Sequence, residues 1–440
     1  MKLVAKCAFF ALVALVALMA INFSGYAMNT RLAAASNAAR LEFQLEARAE
    51  VLASFTAWAP GTSWGRAGSE AAIITCYLDD QYNQDVILFM GESKFTYRLQ
   101  LGNVASGHHR MRLEVNRKLS SASVGAVIIG QISVAPVLES MGRLFTAMSY
   151  APILYARRNS IGRFTDIPLL MWYEVFDNQG ETTIRYSYVF TNEDAGTATE
   201  ALMARWGRAT DIEWAYEVKL RDGKTTGESF QAVNHRPTPF SGKKAGLHPF
   251  LLVASDNNNF ADAGESAMRL ALQPELMDLS SHSREEMMDR HAWAYKVMAQ
   301  ELQREGKISE AGGHFIRDPR SYVYIEARAP RQNMGIDLRV GLKDGKWFDS
   351  DLGRQDLDIQ REGWFRVAVR LPLNELPKQT KEIAIQCRGP ARTDQPVECT
   401  GIQVQKAFML DQNYRPRLLR TSIEQSPAQA FSSPDPTRPR

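Results

Sequence analysis

Apolar and polar residues alternate with period two over many stretches of this chain, the pattern of strands that bury one face. HRMRLEVN sets Met111, Leu113 and Val115 against Arg110, Arg112 and Glu114. TTIRYSYVF places Ile184, Tyr186, Tyr188 and Phe190 on one side, and DNQGE reads as the hairpin turn joining it to DIPLLMWYEVF. In DIEWAYEVKL, strict alternation assigns Ile212, Trp214, Tyr216 and Val218 to the core and Asp211, Glu213 and Glu217 to the reverse. YVYIEARA, MGIDLRVGL, GWFRVAVRLP and KEIAIQC continue the strand pattern toward the C-terminus.

Helical spacing occurs in two places. From Asn37 to Trp58, Leu41, Leu45, Ala49, Leu52 and Phe55 recur on one face, which predicts an N-terminal helix ended by Pro60 and Gly61. Near 284–305, Met287, His291, Ala294, Tyr295, Met298 and Leu302 predict a central helix, with a capping box between Ser283 and Glu286. LMARWGR fits a short helix or a strand. The expected fold is therefore mostly β, with antiparallel β-sandwich-like sheets, an N-terminal helix and a central helix. The divisions are an N-terminal helix and linker over 28–65, a β-rich main domain over 66–280 and a bridging helix over 281–310. A C-terminal β-sheet region follows over 311–420, either sharing the main core or separate from it, and then a disordered tail over 421–440.

The first residues change the picture of where this fold resides. Lys2 and Lys6 precede an apolar run, and Gly25 and Ala27 are the small residues of a cleavage site, so 1–27 reads as a signal peptide. A retained anchor is the alternative. No later segment is long and apolar enough to span a bilayer, which places the folded part in the periplasm or outside the cell. The net charge is only +3, and no basic tract joins an aromatic platform, which argues against nucleic acid. Cys387 and Cys399 flank a Pro-rich loop that a disulfide can close in an oxidising compartment, two thiols being the alternative. Cys76, in AAIITCYL, reads as a small buried hydrophobe.

No nucleophile elbow, phosphate loop, dinucleotide fingerprint or zinc helix is present in the sequence. Candidate chemistry is concentrated between Arg163 and Gly264. Glu193 and Asp194 end the Tyr-rich strand, where burial can raise one carboxyl into the range of a general acid. Asp211 and Glu213 lie two residues apart on one strand face, with backbones roughly 6.5 Å apart. His235 and His248 can carry a proton, donate to a polar substrate, or join carboxylates around a metal. Asp256, followed by Asn257 and Asn258, offers hard oxygens to calcium or another divalent cation, without the spacing of an EF-hand. Trp206, near Arg208, is the best-placed ring for stacking. Each has a plainer reading, as an acidic turn, a solvated face, loop histidines, Asx turns or a core ring.

The leading expectation is an exported hydrolase acting on a polysaccharide or other polar envelope substrate. Glu193 and Glu213 would form the carboxyl pair, Asp194 and Asp211 would tune them, and His235 would stand nearby. Trp206, Arg208, His248, Asn257 and Asn258 would contact substrate, and Asp256 a cation. The alternatives are a noncatalytic carbohydrate-binding or envelope structural protein, and a metal-dependent hydrolase or polysaccharide lyase. The expected partner is a polysaccharide or cell-envelope component, with no nucleic acid and no membrane span once the signal is removed.

Overall fold

A computed structural model describes residues 38–158, 164–193, 196–311, 313–330, 334–372, 379–388, 401–420 and 422–425. The signal segment, Asp194, Cys399 and the chain beyond 425 lie outside the described residues. The described chain is mostly β, built from several antiparallel sheets and one large half-barrel sheet.

The expected N-terminal helix is not formed. Ala38–Leu45 and Ala49–Trp58 are strands, separated by the turn at Glu46, Ala47 and Arg48. Leu41 and Leu45 fit a four-residue repeat, but Phe43 between them is equally buried, and burial alternates strictly along the first strand. Period two therefore wins, because a half-buried strand seals every second side chain and a helix cannot. The first strand pairs with Gly107–Val115 in a four-stranded sheet, and the second lies between Phe95–Val104 and Ile128–Val137 in a three-stranded sheet. Leu41, Phe43 and Leu113 from one and Val51, Phe55 and Ile132 from the other share a single core.

The large sheet carries Pro168–Asn178, Glu181–Phe190, Asp211–Arg221, Lys224–Ala232 and His248–Val253. Its two faces serve two different cores. Trp172, Val189 and Ile212 join the N-terminal core, while Met171, Tyr186, Tyr188, Phe190 and Tyr216 build the other. Farther on, Tyr322–Ala329 and Gly335–Leu342 centre two four-stranded sheets whose apolar faces form a third core, including Ile325, Leu338, Val367 and Ile385. Ser422–Gln425, expected within a disordered tail, pairs in parallel with Thr380–Arg388.

The central helical region forms as two helices, Glu286–Arg290 and Trp293–Arg304. The capping box is absent, because the Ser283 hydroxyl donates to Glu326 at 2.8 Å instead. LMARWGR resolves as the end of a helix, Thr199–Trp206, stopped by Gly207 in the left-handed conformation. Of the expected Cys387–Cys399 pair, Cys387 is disulfide-bonded and Cys399 lies outside the described residues, so no disulfide joins two described cysteines; Cys76 is a free thiol buried in the core. Among the described residues no helix is long and apolar enough to cross a membrane.

Candidate functional site

One extra residue decides where the acids of DIEWAYEVKL point. Tyr186 pairs with Tyr216, but Ser187 pairs with Trp214, so Ala215 is the additional residue of a β-bulge. Strand parity reverses there. Asp211 stands opposite Phe190 and Glu213 opposite Tyr188, on the same face as Tyr216, and not on its reverse as strict alternation predicts. Trp214 correspondingly leaves the core face and lies half-buried, with the Arg185 guanidinium 5.7 Å from its ring. The bulge thus inserts two carboxylates beside an aromatic core.

Burial has the expected electrostatic result. It pushes Asp211 well above the usual carboxylate range, with Glu213 and Glu193 adding repulsion against the pull of Arg208 and an Asn258 hydrogen bond. Glu193 is also raised, first by burial and then by Glu213, while Thr197 and Arg208 oppose the shift. Asn258 Nδ2 donates to Asp211 Oδ2 at 3.0 Å, and the Gln231 side-chain amide donates to Glu213. His235 Nδ1 lies 3.5 Å from Glu213 Oε1 and 2.7 Å from Gln231 Nε2. Glu213's hydrogen bond raises the imidazole pKa against the effect of burial. Asn234 and His235 are both left-handed, at φ 64° and 55°, which turns the chain sharply after the strand. Asn257 Nδ2 meets His235 Nε2 at 2.9 Å.

Glu193, Asp211, Glu213, His235, Asn257 and Asn258 are therefore brought into one network. Its reach to solvent lies mainly at His235, whose side chain is 55% exposed against 9% for Glu213. Asn192, Gln231 and Asn259 complete it, and the side-chain oxygens of Asn192, Gln231 and Asn258 are buried without a hydrogen-bond partner. The DNNNF composition hinted at Asn259, whereas Gln231 carried no local signal.

The other expected residues are placed elsewhere or are already occupied. Arg208 is buried and donates to Glu285 Oε1 at 3.0 Å. Trp206 lies between the guanidinium groups of Arg205 and Arg361, 6.0 and 5.5 Å from its ring centre. His248 is sealed in the interior against Glu50 and the Ala151 carbonyl. Asp256 faces Arg157 at 3.4 Å and belongs to neither potential cation-binding group among the described residues. These groups are His282, Glu286 and Glu326, and Asp337, Asp349 and Asp351.

A second concavity had no counterpart in the sequence pattern. It is a cleft of 610 Å³ between the N-terminal strands and the helical region, lined by Phe89, Phe95, Tyr97, Arg98, His291 and Trp293 among others. Trp293, partly exposed, stacks on Phe89 at 5.1 Å and meets Phe95 edge-on at 5.0 Å. Glu275 on its lining accepts from Arg98 at 3.2 Å and contacts His291 at 2.9 Å. Asp85, also on the lining, is raised by burial, and its oxygens accept from Thr75 and Tyr82 at 2.6 and 2.7 Å.

No protein-family model and no curated protein matches the chain. Several solved structures are similar to part of it. A Carbohydrate-Binding Module CBM36 in complex with calcium and xylotriose aligns with a TM-score of 0.19 and 12% identity, over 26% of this chain and 94% of that one. The GH26-CBM35 β-(1,4)-mannanase of Podospora anserina aligns at 0.18 and 12%, over 26% of each chain. Necrosis and Ethylene inducing Protein 2, from the causal agent of cocoa's Witches Broom disease, aligns at 0.23 and 15%, over 35% of this chain and 79% of that one. Each likeness covers a minor part of the molecule.

Proposed function

We propose that this chain is an exported, noncatalytic carbohydrate-binding protein, and that the aromatic cleft is its binding place. The observation that carries this reading is the pairing of Trp293 and Phe95 with a polar rim of Arg98, Glu275 and His291 in one cleft. A pyranose presents apolar C–H faces and polar hydroxyl edges, so a ring wall with a few oriented donors and acceptors suits it. The carboxylates in the cleft support binding over hydrolysis. Both oxygens of Glu275 and both of Asp85 are already engaged by protein hydrogen-bonding groups, which holds these carboxyls to the cleft wall.

Hydrolysis is the second reading, and the Glu193, Asp211, Glu213 and His235 network favours it, because its burial-raised carboxyls lie close to an imidazole. Glu193 would then be the acid and Glu213 its partner. The test incubates the chain lacking residues 1–27 with a panel of insoluble and soluble polysaccharides, measuring retention and release of reducing ends. Retention without release, reduced at least tenfold by Trp293→Ala, is the expected result. Release that disappears in Glu193→Gln would establish the hydrolase instead, and retention indifferent to Trp293→Ala would remove the cleft from consideration.

A further inference from the structure

We infer that Asp337, Asp349 and Asp351 form a binding site for a hard divalent cation, and their all-oxygen chemistry selects calcium. One carboxylate oxygen from each lies within 4.8 Å of the other two. Calcium holds its oxygens at roughly 2.4 Å, so oxygens sharing one ion stand no farther apart than about 4.8 Å. The sequence places the ligands economically: Asp337 lies on Gly335–Leu342, Asp349 ends the paired strand Trp347–Asp349, and Asp351 follows two residues later.

A separate observation points into this cluster. The Asp337 side chain is sealed from solvent, and its Oδ1 takes the Ser350 backbone N–H at 2.9 Å and the Ser350 hydroxyl at 2.8 Å. Its Oδ2 has no hydrogen-bond partner, and the Arg388 guanidinium stands 3.8 Å from it. A buried carboxylate oxygen without a partner is costly. Asp337, Asp351 and Asp358 face the guanidinium group of Arg388, and Asp349 faces that of Arg339.

The other group, His282, Glu286 and Glu326, differs in having no buried side-chain oxygen or nitrogen without a hydrogen-bond partner. Arg366 is 2.6 Å from Glu326 and Lys406 is 2.6 Å from Glu286. Filling the aspartate site would also stiffen a contact between regions. Leu352 and Leu357, in the segment it closes, pack on Ala201 and Ala204, and Arg205 donates to the Asp356 carbonyl.

The test uses the chain lacking residues 1–27, stripped with chelator, in calorimetric titration with calcium chloride and in thermal unfolding with and without it. One calcium per chain and a raised Tm are expected, with affinity falling at least tenfold in Asp349→Asn, a change at a partly exposed position. Terbium luminescence on the unmutated chain, reversed by calcium, provides a readout independent of whether the variant folds. Absence of calcium heat and of a Tm change at millimolar calcium, or binding unchanged in a folded Asp349→Asn, would overturn the assignment.

Discussion

His248 Nε2 lies 3.0 Å from Glu50 Oε2, and both side chains are almost wholly shut off from solvent. The pair ties the strand that opens the three-stranded sheet to the large sheet, and the His248 ring also meets the Ala151 carbonyl at 2.9 Å. Removing one member of a buried pair leaves the other without compensation. His248→Ala is expected to cost about 3–5 kcal/mol in urea unfolding. Burial opposes charge on Glu50, but hydrogen bonds and charge from His248, with Asn103, hold its pKa below the ordinary 4.5. Its stabilising contribution is therefore present above pH 4.5 and is lost as pH falls through the lowered value. Glu50→Gln should flatten the acid limb of stability, and an unchanged acid limb would refute this.

Glu213 raises the His235 pKa through a hydrogen bond. The imidazole therefore contributes stability below its ordinary 6.5, lost as pH rises through the raised value. Proton NMR of His235 should show its midpoint moving down in Glu213→Gln. A midpoint that does not move would mean that the contact is absent in solution.

Glu301 behaves in the opposite sense to Glu50. It is buried on Trp293–Arg304, accepts from Trp64 Nε1 at 2.8 Å and from the Asp166 N–H at 3.0 Å, and is pushed up to about 7 by burial first and Glu305 second. An acid with a raised pKa in the fold stabilises fully only below its unfolded value, and that contribution fades between pH 4.5 and about 7. Glu301→Gln should narrow the difference in Tm between pH 5.5 and pH 8. Scanning calorimetry at both values measures it, and an equal difference in both proteins would be contrary.

Gly335 has no room for a side chain, since a Cβ there would overlap the Asp358 carboxylate and come within 2.8 Å of its Cβ. Gly335→Ala should cost about 1–3 kcal/mol by overpacking. It should also diminish the thermal response to calcium. A variant as stable as the parent would show that the Asp358 segment yields readily.

The sequence pattern carried most strands and the central helical region because their apolar periods were unambiguous. It misread Leu41 to Phe55, where an alanine-rich run satisfies period two and period four together and only the sheet partner decides. The network around Asp211 was recognisable as a set of polar strand ends, but its face was not, because nothing in DIEWAYEV marks Ala215 as an extra residue. His248 and Trp206 looked available because exposure is a tertiary property. The aromatic cleft was out of reach for a similar reason: Phe95 and Trp293 meet only after two distant segments fold together.

The bulge at Ala215 makes chain length a determinant of chemistry. On either side of it, counting by twos leads to opposite faces, so the strand is read in two phases joined at one small residue. Loss of that residue would change no carboxylate, yet it would carry Asp211 and Glu213 from the tyrosine-lined face to the one where Trp172 and Val189 pack. The acids owe their environment to an insertion, and a substitution scan that preserves length would miss what put them there.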